Sequence, residues 1–204
     1  MERKRSAENV TSQTWGAAVQ RADVTEALTR AFFMEWARVG YADISLERVA
    51  RLAGSGKAAL YRRWPDKAAM MADLLSRIGL SLTMINDQGS LEDDVLAFLF
   101  AVRRVLRHPT IRRIVSDIHA QLERNPSLAA AMRPFQDARR ARAYEIIDRA
   151  IKRGELQATI DRNLVGDLLA APIYWRIAVL GQRADRYYVQ GLARTIIGAL
   201  RTMP

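Results

Sequence analysis

Between Ser45 and Lys67 the chain reads SLERVARLAGSGKAALYRRWPDK, with cations at Arg48, Arg51, Lys57, Arg62, Arg63 and Lys67. The chemistry open to these groups is donation: ammonium and guanidinium hydrogens pair with phosphate oxygens and with acceptors on base edges. They are interleaved with apolar residues at helical spacing, Leu46, Val49, Ala50 and Ala53, then Leu60 and Tyr61. Gly54 breaks the first run, and Pro65-Asp66 closes the second and opens another helix. Two short helices joined at a glycine, with a basic outer face, form a helix-turn-helix whose second helix can lie in the major groove of DNA.

No other set of reactive groups competes with this one. The chain has two histidines and no cysteine, which excludes disulfides, thiolate nucleophiles and thiolate metal sites. It carries no HExxH pair and no glycine-rich phosphate loop. The paired acids Asp93-Asp94 read as charges favoured at a helix N-terminus rather than as a general acid and base. The expectation is a protein that is not an enzyme, with no catalytic residues, metal or cofactor.

The elements that must position the cations are helical. At 204 residues, half of them hydrophobic, the chain can bury a sizeable core as one domain or two small ones. Its net charge of +10 favours polyanionic partners, nucleic acid before anionic membrane. That charge is spread along the chain, so it does not by itself locate a site. No apolar run approaches the ~18 residues of a membrane span, and MERKRSAENVTSQTWG lacks the apolar stretch of a signal peptide. A cytoplasmic, nucleoid-associated protein with no membrane partner is expected.

Residues 1–22 are polar and weakly patterned, a mobile arm. From Asp23 the helical period dominates, and no strand-like alternation persists. Helix one spans about Val24 to Val39 and stops at Gly40. Helix four starts at Asp66 and carries Met70, Met71, Leu74, Leu75, Ile78 and Leu82. Ser90 with Asp93 marks the start of helix five, which runs to about Arg107. His108-Pro109 and Asn125-Pro126 bound helix six. A short helix follows from Ser127, and Pro134 either kinks it or begins helix seven, which runs to Gly154. Asp161 caps helix eight, Asn163 to Leu180, and helix nine runs from about Ala184 to Arg201. The sum is an all-α chain of about nine helices, with a helix-turn-helix domain over 23–67 and a second helical domain over 68–204.

From Val24 to Leu74 the sequence resembles the DNA-binding domain of the TetR/AcrR family of bacterial transcriptional regulators. The resemblance rests on Trp36 and Gly40-Tyr41, Ser45, Val49-Ala50, Ala53-Gly54, Gly56-Lys57, Leu60-Tyr61 and Trp64-Pro65-Asp66-Lys67. The later segment PIYWRIAVLG, Pro172 to Gly181, is similar to the penultimate helix of one subgroup of that family. Two positions depart from the family pattern. Ser55 stands where valine is usual and gives up an apolar contact of about 1 kcal/mol. Ala59 stands where threonine is common and exchanges a hydroxyl for a methyl that could meet thymine.

The resemblance implies a homodimer that binds double-stranded DNA and responds to a small-molecule effector. Gly56, Lys57, Ala58 and Ala59 would open the recognition helix, Lys57 donating to guanine while Gly56 and Ala58 allow close approach. Tyr61, Arg63 and Lys67 would clamp phosphates. Ser45 would combine a cap with a phosphate contact, and Arg48 would face the same side. A ligand pocket is expected near Phe98, His119, Met132, Phe135, Tyr144 and Trp175, suited to a largely apolar or aromatic effector. The dimer interface is expected at Leu168, Leu169, Pro172, Ile173 and Ile177 of helix eight, with Leu192, Ile196 and Leu200 of helix nine. Two alternatives stay open: a constitutive DNA-binding regulator without an effector, and a basic helical protein that binds a membrane surface or a protein partner.

Overall fold

The computed structural model describes residues 23–79 and 85–203. The arm expected over 1–22 and the core position expected for Leu82 lie outside the described residues, as does the side chain of Ile78. Among the described residues every regular element is helical, as the hydrophobic period requires. The elements are α1 (23–39), α2 (Leu46–Leu52), α3 (Lys57–Tyr61), α4 (Lys67–Leu74), α5 (Leu91–Leu106), α6 (Pro109–Leu122), α7 (Pro126–Lys152), α8 (Arg162–Tyr174) and α9 (Arg186–Thr202). No helix among these is long and apolar enough to cross a membrane. The chain divides into two compact units within α4, between Met70 and Met71.

The helix starts follow from side chains that take up the orphan N–H groups of a first turn. Ser45 accepts from the Arg48 amide, Ser90 from Asp93, Asn125 from Leu128, Asp161 from Asn163 and Leu164, and Asp185 from Tyr188. Asp66 accepts from the Ala69 amide at 2.8 Å and starts α4. Gly54 ends α2 at φ +62°, the left-handed region, and the Ser55 amide reaches back to the Ala50 carbonyl at 2.9 Å.

The first unit is held by large buried side chains: Leu28, Phe32 and Trp36 of α1, Tyr41, Val49 of α2, Leu60 of α3 and Trp64. The Trp36 ring lies 5.8 Å from Phe32, edge to face, and 5.4 Å from Tyr41. Glu35 is buried among them and accepts from both Arg38 and Arg48, which joins α1 to α2. Those hydrogen bonds, Arg38 first, hold the Glu35 carboxyl below its usual range against the opposing pull of burial.

In the second unit α5 packs against α6, α7, α8 and α9. Its stripe Leu91, Val95, Phe98, Leu99 and Leu106 joins Ile146 and Ile147 of α7, Val165, Leu169 and Ile173 of α8, and Val189, Ile196 and Leu200 of α9 in one core. The chain builds helix seven as one element. Pro134 sits inside α7, where it supplies no N–H to the ladder. Helix eight is interrupted instead. Pro172 has no amide for the preceding turn, and from Trp175 to Val179 the helix opens into a π turn before Gly181.

Candidate nucleic-acid interface

Helices α2 and α3 pack against each other across the Gly54 turn. Leu46, Val49, Ala50 and Leu60 point inward, which leaves Gly56, Lys57 and Ala58 exposed at the start of α3 and Ala59 half-buried behind them. Gly56 has φ −69° and ψ 141°, a conformation open to any residue. A Cβ built there would meet nothing within 4 Å. The chain's own packing therefore gives no reason for glycine at this position. A backbone without a side chain lets an approaching surface come close.

Lys57 and Tyr61 stand one helical turn apart on α3, and both reach the same carboxylate on α2. The Lys57 ammonium lies 2.9 Å from Glu47, and the Tyr61 hydroxyl donates to Glu47 at 3.0 Å. The Ser45 hydroxyl donates to the other Glu47 oxygen at 3.2 Å. Lys57, then the residue's own amide, then Tyr61 bring the Glu47 carboxyl down to about 2. Three side chains expected to face DNA are thus gathered around one anion, in the manner of donors around a phosphate oxygen.

Two expected contacts are engaged differently. Arg48 was expected to face the nucleic acid, but its Nε donates to the buried Glu35 at 3.0 Å. Together with Arg38 it answers the charge of that buried acid, and it fastens α2 to α1. Lys67 was expected to clamp phosphate, but its ammonium donates to the carbonyls of Tyr41 at 2.9 Å and Ala42 at 2.5 Å, above the Tyr41 ring. It ties the start of α4 to the loop between α1 and α2. Arg63 is half-buried, and one of its guanidinium nitrogens is enclosed without a hydrogen-bond partner among the described residues. Arg51 and Arg62 are exposed.

A model of bacterial regulatory proteins of the tetR family matches residues 28–74, and a tetracyclin repressor-like C-terminal domain matches residues 85–196. The chain belongs to the tetR family. The curated relatives are regulators as well. The DNA-binding transcriptional repressor TetR of Mycobacteroides abscessus is 29% identical over 154 residues, 74% of this chain and 80% of that protein. YdeS of Bacillus subtilis, described as an HTH-type transcriptional regulator, is 26% identical over 156 residues, 75% of this chain and 77% of that protein. The crystal structure of the TetR family transcription regulator SCO0332 superposes with a TM-score of 0.70 at 27% identity, covering 90% of this chain and 98% of that one. This TetR-family chain is accordingly a DNA-binding transcriptional regulator and not an enzyme.

The later helices of this TetR-family regulator depart from the sequence-based expectation. Leu169, Ile173 and Ile177 of the α8 segment and Ile196 and Leu200 of α9 are buried in the chain's own core, so they have no surface to offer a second subunit. Leu168, Pro172 and Leu192 are half-buried. The apolar residues on the outside are Leu164, Trp175, Val179, Leu180 and Tyr187. Trp175 is 57% exposed and lies on this outer stripe.

A cavity of about 620 Å³ opens among α5, α7 and α8. Of the six expected pocket residues only Phe98 lines it. Met132 is buried in packing. His119 is exposed with its ring 5.4 Å from Tyr174, and Phe135 lies under Arg139. The Tyr144 hydroxyl donates to Asn163 at 2.7 Å, and its ring sits 3.4 Å from where a Cβ of Gly166 would be, so a larger residue there would press on it. Sequence reasoning passed over Arg139, Arg140 and Gly166. Two arginines among many in α7 carry no signal of their own until α8 is packed beside them.

Proposed function

We propose that this regulator is a homodimeric, effector-responsive repressor that reads a pseudo-palindromic operator. Each subunit lays α3 in a major groove, the two half-sites about one helical turn apart or slightly more. The observation that carries the reading is the start of α3. Gly56 is a glycine the fold does not require, and beside it Lys57 and Tyr61 form a ready set of donors for an anion. Lys57 serves base edges, Tyr61 and Arg63 serve phosphates, and Ser45 both caps α2 and donates outward.

The dimer face is the outer stripe of α8 and its π turn. Leu164, Leu168, Pro172, Trp175 and Val179 recur every three or four residues, with Tyr187, Gly191 and Gly198 on the open side of α9. Small residues on one helix and bulky ones on the other suit a four-helix bundle built from two copies. The cavity among α5, α7 and α8 is the effector site. Helix α7 packs against the π turn of Leu75–Gly79 that continues α4. A ligand that displaces α7 would therefore shift α4 and change the separation of the two recognition helices. Such coupling is typically about 1–3 kcal/mol and is reciprocal between ligand and operator.

Fluorescence anisotropy tests the reading, with oligonucleotides selected from a random library at physiological salt and excess competitor. Tight binding that survives competitor and collapses in Lys57→Ala/Tyr61→Ala supports a sequence reader. Binding abolished by competitor and equal in both proteins would leave only phosphate attraction.

A further inference from the structure

We propose that the cavity among α5, α7 and α8 receives a small organic anion, a carboxylate or sulfonate on a compact apolar body, with the Arg139 guanidinium as its counter-charge. The proposal names the ligand class of the effector site above and rests on that reading for its regulatory consequence. It also replaces the expectation of a largely apolar ligand.

Arg140 and Asp167 face each other across α7 and α8 at 3.6 Å, and Arg140 donates to Asn163 at 3.1 Å. Those two charges answer one another. Arg139, the next residue, has no hydrogen bond and no carboxylate partner among the described residues, and only the Phe135 ring lies against it, at 5.7 Å. Asp137 also lines the cavity, but residues two apart on a helix do not face each other, and it forms no ion pair with Arg139. Arg139 is exposed and lines the cavity, and the protein around it lowers its affinity for a proton, burial being the larger cause. The Tyr174 phenol is pushed up by burial, and the Arg139 charge opposes that push.

A cavity-lining guanidinium with its fork unused is a receptor for a planar anion, which it binds through two parallel hydrogen bonds. The rest of the wall supplies the apolar contact: Phe98 and Val102 of α5, Ala143 of α7 and Ala170 of α8. A volume of about 620 Å³ suits a small molecule. A neutral apolar ligand would leave the Arg139 charge enclosed and unanswered, a cost that an anion removes.

The test uses the full chain and 1-anilinonaphthalene-8-sulfonate, an aromatic sulfonate that brightens when enclosed. Saturable binding at one site per chain is expected. Arg139→Gln should weaken it by roughly tenfold or more, and Arg139→Lys by less, with both variants melting like the parent. 1-Naphthylacetate should displace the probe, and 1-naphthylacetamide at equal concentration should not. No saturable site, equal binding by Arg139→Gln, or equal displacement by the amide would overturn the proposal. Operator anisotropy in the presence of 1-naphthylacetate separates it from the regulator reading. An Arg139-dependent site whose filling leaves operator affinity unchanged upholds the anion site and removes the effector role. Operator binding by a parent whose probe affinity ignores Arg139→Gln upholds the regulator and removes the anion site.

Discussion

Glu47 in the first unit and Asp94 in the second each gather several donors, but they do so in different surroundings. Asp94 is 0% exposed and accepts from the Gln88 amide at 3.0 Å, Arg149 at 3.1 Å and Arg153 at 2.9 Å. Burial pushes its carboxyl up, and the amide and the two arginines together outweigh that and hold it below the usual range. Arg153 also pairs with Glu155 and Asp87, and Glu155 accepts from the Leu91 amide, so loop, α5 and α7 are joined in one network. Glu47 is 50% exposed, and its partners Lys57 and Tyr61 are exposed too. An ion pair in water is easily exchanged, whereas one taken out of water cannot lose a member cheaply. The first arrangement suits donors that must leave for another anion. The second suits a framework that must not move.

Of changes at the two carboxylates, the larger expected effect is Asp94→Ala. Arg149 would lose its acceptor, and Arg153 would keep only Glu155 and Asp87. Each arginine keeps about a fifth of its side-chain surface in water, so the loss should fall near the low end for a broken buried pair, about 3 kcal/mol. Urea denaturation measures it. A loss no greater than for an exposed acid would erase the difference between the two carboxylates. The pH dependence has a defined sign. The folded carboxyl lies below its unfolded value of about 3.9, so the unfolded chain binds the extra proton first. Stability from this group is full above about pH 4 and is lost as pH falls through the lower folded value.

The same contrast between fixed interior and exchangeable surface runs around α8. Trp175→Glu should leave the subunit folded and convert a dimer to a monomer in sedimentation velocity. Ile173→Glu, one half-turn away and fully buried, should unfold it. A Trp175→Glu protein that stays dimeric would place the interface elsewhere.

That helix shows why part of the molecule was legible in sequence and part was not. The helix-turn-helix could be read because its signals are local: a glycine that must adopt φ +62°, caps within three residues, and apolar positions one turn apart. Helix α8 is apolar on two sides. Leu168 and Leu169, or Pro172 and Ile173, are neighbours in sequence, and only the packing of α5 and α9 decides which of each pair is enclosed. Arg48 and Lys67 read as surface cations because their partners, Glu35 and the Tyr41 and Ala42 carbonyls, lie 13 to 26 residues away. The cavity was least legible, since a void has no residue type. Phe98 was named because it is large and apolar, and Arg139, which also lines the cavity, was not, because an arginine on a long basic helix looks solvated.

On the exchangeable side, Lys57→Ala should lower operator affinity by roughly ten- to a hundredfold, the range of one lost base contact, with an unchanged denaturation midpoint. A matching loss on every sequence would reassign Lys57 from base reading to phosphate attraction.

The smallest effect is the most pointed. Glu47 is ionised at any working pH, since its carboxyl titrates near 2. If its partners leave it for DNA, it competes with the phosphate and repels it as well. Glu47→Gln keeps the shape and an acceptor oxygen but removes the charge. Operator affinity should then rise a few-fold, the scale of an exposed pair, and the gain should shrink at high salt, where the repulsion is already screened. The urea midpoint should not move. A fall in stability approaching that of Asp94→Ala would mean Glu47 is part of the framework. A fall in operator affinity would mean it orients Lys57 and Tyr61 rather than holding them until an anion arrives. In that case α2 would act as a positioning element for the donors of α3, and the difference between the two carboxylates would be one of solvent exposure alone.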